Sequence, residues 1–282
     1  METKSLGAGA RVARIGIGTW GMGEDPARAA DEVRAIQAAV DLGLTLIDTA
    51  EMYGEGGAEE VVGRAIASVR ERVFLVTKVY PWNASYRGIL QAAERSLRRL
   101  ETDVIDLYLL HWAGEHPIEE TMRGMEELVD RGWVRFAGVS NLAVPEMEAA
   151  REALTRVPLA CNQLLYHLED RSIERRELPY CLMEGVGVMA YSPFGHGHFP
   201  EPGSAKHDLL ASIGARYGKT PRQVALNWLT RRPHVVAIPK AVSPAHLEEN
   251  AGAAGWDLTA EDAAAIDRAF PLPEDDGTLH ML

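Results

Sequence analysis

The sequence is poor in cysteine, in positive charge and in long apolar runs, and each shortage excludes something. Two cysteines in 282 residues, Cys161 and Cys181, are too few for a disulfide framework. Cys161 lies in a strand-like run and Cys181 in a helix-like one, so both read as reduced packing residues. Lys plus Arg number 29 against 41 Asp plus Glu, a net charge of −12. That balance excludes the basic face needed for a nucleic acid or an anionic membrane, though it leaves room for a local basic pocket around one phosphate. No apolar stretch approaches the ~20 residues of a membrane span. The opening METKSLGAGARVARIG has no apolar h-region, so no secretory signal is expected. These absences point to a cytoplasmic protein.

What is present is regular alternation. With 46% hydrophobic and 25% charged residues, the chain can bury a substantial core. Eight strand-like runs fall at Arg14–Gly18, Thr45–Thr49, Val73–Val79, Ile105–His111, Arg135–Ser140, Ala160–Leu165, Gly187–Ser192 and Val235–Pro239. Helix-like segments separate them: Ala30–Leu42, Ala58–Val69, Ser85–Leu100, Ile118–Arg131, Pro145–Leu154, Ile173–Glu184, Lys206–Tyr217 with Pro221–Arg231, and Pro244–Ala254. Pro145, Pro221 and Pro244 stand near helix starts, where a missing N–H costs least. Gly43, Gly132 and Gly185 follow helix ends. Strands separated by helices pair in parallel, and eight such units in this length predict a single (β/α)₈ TIM barrel, class α/β, over residues 1–282. An open doubly wound sheet is the competing fold. Gly16, Gly18 and Gly21 do match GxGxxG, but Trp20, Met22, Glu24, Asp25 and Pro26 intervene where a helix must begin at once. The stretch reads as a strand end and a loop.

In a parallel barrel the chemistry lies where strands end at the C-terminal face. The residues there are Thr19 and Trp20; Asp48, with Tyr53 in the next loop; Thr77 and Lys78; His111 and Trp112; Ser140 and Asn141; Asn162, Gln163 and Tyr166; Tyr191 and Ser192; and Lys240. Each has a plainer reading. Asp48 alone reads as a turn acceptor, Tyr53 as a surface aromatic, Lys78 as a snorkelling strand end and His111 as a core histidine. Their joint occurrence changes the balance, because a carboxylate, a phenol, an ammonium and an imidazole from successive strand ends are costly to bury without mutual pairing.

The quartet predicts a task. A phenol is a weak acid near neutrality, a nearby ammonium eases its proton release, a carboxylate fixes the ammonium, and an imidazole orients a carbonyl. Together they deliver a proton to a carbonyl that accepts something else, such as hydride. No Ser or Cys nucleophile with a base is evident. His196 and His198 form a loop pair without a nearby carboxylate or Cys, so no metal is expected.

At this point the sequence resembles the aldo-keto reductase superfamily over essentially its whole length. The matching stretches are GIGTW, LTLIDTAEMYGEGGAEEVVG, VFLVTKVYPWN, DVIDLYLLHW, GVSNL, CNQLLYH, MAYSPF and AIPKA followed by Asn250. EMYGEGGAE and KVYPWNAS look most like the short bacterial members that reduce methylglyoxal and similar aldehydes. The resemblance implies a nicotinamide cofactor bound without a Rossmann domain and a catalytic tetrad of Asp48, Tyr53, Lys78 and His111, with Tyr53 as proton donor. It also implies cofactor contacts from Gly18, Thr19, Trp20, Asp48, Ser140, Asn141, Gln163, Tyr191, Ser192, Pro193, Phe194, Ile238, Lys240, Ala241, Ser243, His246, Glu249 and Asn250. Ser140, Asn141 and Gln163 would hold the carboxamide, Tyr191 would stack on the nicotinamide, Lys240 would meet the 2′-phosphate and Asn250 the adenine.

Two departures bear on the cofactor. Ala241 and His246 stand where many members have Ser and Arg, and an imidazole grips phosphate less well than an Arg fork. NADPH is therefore expected to be preferred, with appreciable use of NADH. The loop GHGHFPEPG after Phe194 is also shorter than in many members. Trp20, Trp82 and Trp112 are expected to wall an apolar substrate pocket with Tyr53 and His111, and the tail 269–282 to lie near it. The expected partner is a small-molecule carbonyl substrate, and the protein is expected to be a monomer. Three other readings stay open: a dehydrogenase working towards oxidation, a non-enzymatic NADPH-binding regulatory barrel, and a metal-dependent hydrolase using His111, His196 and His198.

Overall fold

The computed structural model describes residues 3–282. Two short strands, β1 (Thr3–Gly7) and β2 (Ala10–Ala13), form an antiparallel hairpin ahead of the barrel. The barrel strands follow as β3 (Ile17–Gly18), β4 (Leu46–Asp48), β5 (Phe74–Val79), β6 (Ile105–Leu110), β7 (Val134–Ser140), β8 (Cys161–Leu165), β9 (Gly187–Tyr191) and β10 (Val235–Ala237). They pair in chain order and in parallel. The sheet closes on itself where the first and last strands meet, through parallel bridges Ile15–Ala237 and Gly18–Lys240. The amide of Gly16 donates to Ala237 O at 2.8 Å across that seam. The expected barrel is present.

The helices are α1 (Ala29–Asp41), α2 (Gly57–Ile66), α3 (Tyr86–Arg99), α4 (Ile118–Asp130), α5 (Val144–Ala153), α6 (Glu177–Glu184), α7 (Ala205–Tyr217), α8 (Pro221–Thr230), α9 (Pro244–Ala251) and α10 (Ala260–Ala269). Their starts follow local chemistry. Ser85, Ser204, Thr220, Ser243 and Thr259 each accept a backbone N–H of the first turn. Pro145, Pro221 and Pro244 occupy the first helical turn. Gly185 ends α6 with φ +70°, which a Cβ would oppose.

Three expectations need correction. The helix expected at Ile173–Glu184 is a 3₁₀ turn at Ser172–Glu174 followed by α6, because Arg176 leaves helical backbone angles between them. The segment Ala58–Val69 stops helically at Ile66 and is followed by a 3₁₀ turn at Arg70–Arg72. The tail begins at Phe270, since Ala269 is the last residue of α10. The hairpin and α10 were not anticipated. The hairpin closes the barrel floor: Leu6, Ala10, Val12 and Ala13 pack with Leu46, Val76, Leu107, Leu109, Met189 and Val236 from the strands' inner faces. The approach is close enough that a Cβ on Gly187 would overlap the carbonyl of Leu6. A larger core lies between the strands and the helical ring, with Trp228, Tyr166 and Phe270 among its fully buried members. Among the described residues, no helix is long and apolar enough to cross a membrane. Cys161 and Cys181 are free and buried.

Candidate active site

With the floor closed, the C-terminal ends of the strands form the open face. Asp48 is the last residue of β4, and Lys78 comes from the end of β5, one strand over. The register Asp48↔Val76 places Lys78 two residues further up the neighbouring strand, on the same face as Val76. Its ammonium is fully buried. It lies 2.8 Å from the Asp48 carboxylate, donates to Thr49 O at 2.8 Å and reaches the Tyr53 hydroxyl at 3.1 Å. Tyr53 opens a short turn in which Gly54 and Glu55 both have positive φ. The fourth residue, His111, follows β6. Its ring meets that of Tyr53 edge-on at 5.9 Å. The four residues predicted from three successive strand ends are therefore one cluster.

The electrostatics follow from burial. Desolvation raises the Asp48 carboxyl above its ordinary value, against the pull of Lys78 and Gln163. Lys78 is held above its ordinary value by Asp48 and Tyr53, which outweigh its own desolvation. A buried ammonium with a carboxylate, a carbonyl and a phenol as acceptors has all three N–H donors occupied. Burial raises the Tyr53 phenol although Lys78 lowers it. This corrects the simple expectation of an acidified phenol: Lys78 offsets the cost of burial, and Tyr53 stays protonated at neutral pH, the form a proton donor needs. Desolvation, then the repulsion of Lys78, pushes His111 down to about 2. It is neutral throughout the physiological range, and its buried Nδ1 has no partner among the described residues.

The remaining predicted residues sort around this cluster. Gln163 donates to Asp48 Oδ1 at 2.7 Å, a link between β8 and β4 that the sequence did not reveal. Both Ser140 Oγ and the Asn141 amide donate to Gln163 O, at 3.0 and 2.9 Å. Tyr191 donates to Asn141 Oδ1 at 3.1 Å, and Asn141 Nδ2 to His111 O at 3.3 Å. Asn141 (φ +56°) and Ser192 (φ +48°) hold left-handed backbone at strand ends, a strain that favours glycine and that clusters at functional sites. Thr19 binds Asp48 O through its hydroxyl at 3.0 Å. Pro193, Ile238, Ala241 and Asn250 are buried, Phe194 and Glu249 half-buried, and His246 exposed. Ser243 accepts the His246 amide as helix cap. Its hydroxyl proton is still available to a ligand.

The tryptophans divide. Trp82 lies 5.9 Å from Trp112, which lies 4.8 Å from His111, so these two stand beside the cluster. Trp82 is also stacked on Tyr80 at 4.0 Å. Trp20 makes its ring contact with His196, at 5.1 Å. Among the described residues, no three His, Cys, Asp or Glu side chains are grouped to hold a metal, which removes the geometry that the hydrolase reading required.

Sequence reasoning missed several contributors. Glu51 accepts from the Tyr80 amide at 2.8 Å and from Asn83 at 3.0 Å, pinning the loop that carries Trp82. Its position between Asp48 and Tyr53 was the available signal. Arg222 lies 4.8 Å above both Phe194 and Phe199 and ties the start of α8 to the short loop after β9. No local pattern announces those contacts, which join residues 28 and 23 positions apart.

A nicotinamide dinucleotide fits this surface. A Cβ on Gly18 would approach Ile238 O at 3.0 Å, so glycine lets the barrel seam close there, and one on Gly21, at φ +73°, would meet Lys240 Nζ at 2.9 Å, so glycine leaves that ammonium its place. Lys240 sits at the barrel seam, its ammonium lowered by burial and by the charge of Arg28. An anion beside it counters both by stabilising the charged ammonium.

A closed parallel β/α barrel with an Asp–Lys–Tyr chain and a neutral His at its mouth defines a class of oxidoreductase. The Aldo/keto reductase family model matches residues 14–270, and the chain belongs to that family. It is 45% identical over 268 residues to the methylglyoxal reductase YeaE of Escherichia coli (strain K12), covering 95% of this chain and 94% of that one. It is 32% identical to a glyoxal reductase of Bacillus subtilis (strain 168), covering 87% and 88%. A crystal structure of an aldo/keto reductase from Klebsiella pneumoniae, in complex with NADP and acetate, superposes with a TM-score of 0.90 at 46% identity over 99% of both chains.

Proposed function

We propose that this oxidoreductase reduces small aldehydes and ketones, methylglyoxal and aromatic aldehydes among them, with NADPH preferred and NADH usable, and with Tyr53 as general acid. The observation that carries the reading is the unbroken chain Asp48–Lys78–Tyr53, with Nζ 3.1 Å from the phenol oxygen and neutral His111 beside it. The NADP complex of the Klebsiella relative and the two dicarbonyl-reducing relatives support it. On this reading Ser140, Asn141 and Gln163 hold the carboxamide, Tyr191 stacks on the nicotinamide, Ser192 and Phe194 line the pyrophosphate channel, and Gly18, Thr19 and Trp20 add further cofactor contacts. On the same reading Lys240 and Ser243 meet the 2′-phosphate, and Glu249 and Asn250 serve the adenosine half.

When bound, the nicotinamide supplies hydride to the carbonyl carbon. The protein's own residues do the rest. His111, neutral at all working pH values, orients the carbonyl oxygen without adding charge. Tyr53 gives that oxygen its proton, and Lys78 stabilises the phenolate left behind. Asp48 and the Thr49 carbonyl hold Lys78 charged and fixed. Trp82 and Trp112 present an apolar wall to the substrate.

The test is a carbonyl panel containing methylglyoxal and a nitrobenzaldehyde, run with NADPH and NADH and in both directions. Reduction with a higher kcat/KM for NADPH is expected. Tight NADPH binding with no carbonyl reduced would establish a regulatory barrel instead.

A further inference from the structure

The C-terminal tail reaches Tyr191 at the mouth of the barrel. The backbone amide of Leu282 donates to the Tyr191 hydroxyl at 3.3 Å. That hydroxyl donates in turn to Asn141, which holds His111 O. Two positions before the end, His280 is clamped through both ring nitrogens: Nδ1 lies 2.7 Å from Asp170 Oδ2, in the loop after β8, and Nε2 lies 3.0 Å from Asp276 Oδ2, in the tail itself. Only an imidazolium can donate from both nitrogens. The anchors of the earlier tail carry no titratable imidazole. Arg175 donates to Pro273 O, Arg176 pairs with Asp275 at 3.3 Å, and Leu279 packs on the core. Asp170 is itself fixed, accepting the Ser172 amide at 3.1 Å.

We propose that His280 is a positioning residue, and that its bridge between Asp170 and Asp276 holds the C-terminal segment against Tyr191, so that Met281 and Leu282 wall the substrate side of the site and restrict it to small carbonyls. The proposal rests on the carbonyl-reductase reading above. Asp170 and Asp276 are the charged groups that face His280, and their hydrogen bonds raise it above its ordinary value. The sign follows: the bridge is complete at low pH, and it is lost as the pH rises through that raised value, which lies above the free-histidine ~6.5. Substrate affinity then falls with rising pH while the Tyr53 chemistry stays intact.

The experiment compares wild type, His280→Gln, His280→Arg and a chain lacking Met281 and Leu282, from pH 6 to pH 9. Steady-state kinetics with methylglyoxal at saturating NADPH and hydrogen exchange of residues 277–282, corrected for intrinsic rates, are the readouts. At pH 6, His280→Gln and the truncation are expected to raise KM roughly tenfold, the worth of one charged hydrogen bond, with kcat within about twofold. Wild-type KM climbs by the same factor towards pH 9, and tail exchange quickens with it. His280→Arg keeps the double bridge at every pH, so its KM stays low and flat and its tail stays protected. The proposal is overturned if His280→Gln matches wild-type KM at pH 6, if its KM follows the wild-type pH curve, or if kcat falls while KM stays put. A wild type that reduced no carbonyl would defeat the functional reading, and exchange would still report whether His280 holds the tail.

Discussion

Replacing Lys78 by Met tests the centre of the argument, because Met nearly fills the same volume and removes only the charge. Lys78 Nζ lies 3.1 Å from the Tyr53 oxygen. At an effective dielectric constant of about 20, a unit charge on each gives an attraction of about 5 kcal/mol. If about half the phenolate charge has developed in the transition state, the lost stabilisation is roughly 2.7 kcal/mol, or about 10²-fold in kcat. A second cost falls on stability. Asp48 is left buried without its cation, retaining only the donor from Gln163 at 2.7 Å. Breaking such a pair costs about 3–5 kcal/mol, so Tm is expected to fall by roughly 10 °C. Adding Asp48→Asn to Lys78→Met removes the orphaned carboxylate and should restore most of the stability without restoring kcat. Single-turnover reduction with NADPH, beside thermal unfolding of the three chains, separates the two effects. The reasoning is refuted if Lys78→Met keeps kcat within about threefold of wild type, or if the double variant recovers activity together with stability.

The other predictions are shorter. Tyr53→Phe keeps the ring and removes the donor, so kcat should fall by ~10²–10⁴-fold while NADPH binding, read by fluorescence quenching, stays unchanged. Lys240→Met should weaken NADPH at least about tenfold and leave NADH nearly untouched, as expected for loss of one phosphate-directed cation; equal losses for both cofactors would remove Lys240 from the 2′-phosphate site. His111, held down to about 2 in the fold, is neutral there while the unfolded chain takes up a proton below ~6.5. Its share of stability is therefore present above pH 6.5 and lost as the pH falls below it, by up to about 1.4 kcal/mol per pH unit. Denaturant titrations from pH 7 to pH 4 should show that slope reduced in His111→Phe. Prolonged treatment with a metal chelator should leave reduction rates unchanged, and an activity loss reversed by a divalent cation would reopen the hydrolase chemistry of His111, His196 and His198.

The strand–helix alternation was legible because burial imposes periodicity. Runs such as VFLVTKV and IDLYLL are buried over nearly their whole length in the finished barrel, and their apolar content marks them without any neighbour. Helix starts at Pro221 and Pro244 were equally local. The hairpin at residues 3–13 was not legible. Its two strands are short with few apolar residues, and they become a floor only when the inner faces of β4, β5, β6, β9 and β10 converge above it. The same holds for α10, whose alanine-rich face acquires meaning only when Ile266 meets the core.

For the site, sequence order alone fixed which residue types end the strands at Asp48, Lys78 and His111, because a parallel barrel sends every strand end to one face. It also placed Tyr53 in a glycine-flanked loop just beyond one of them. Tertiary structure alone decided the energetics. Burial turned the expected acidified phenol into a raised one and made His111 neutral. Through-space neighbours added the Gln163–Asp48 link across 115 positions and the His280–Asp170 contact across 110. Side-chain type is written locally in the chain, but solvation and long-range partners exist only once the barrel has closed.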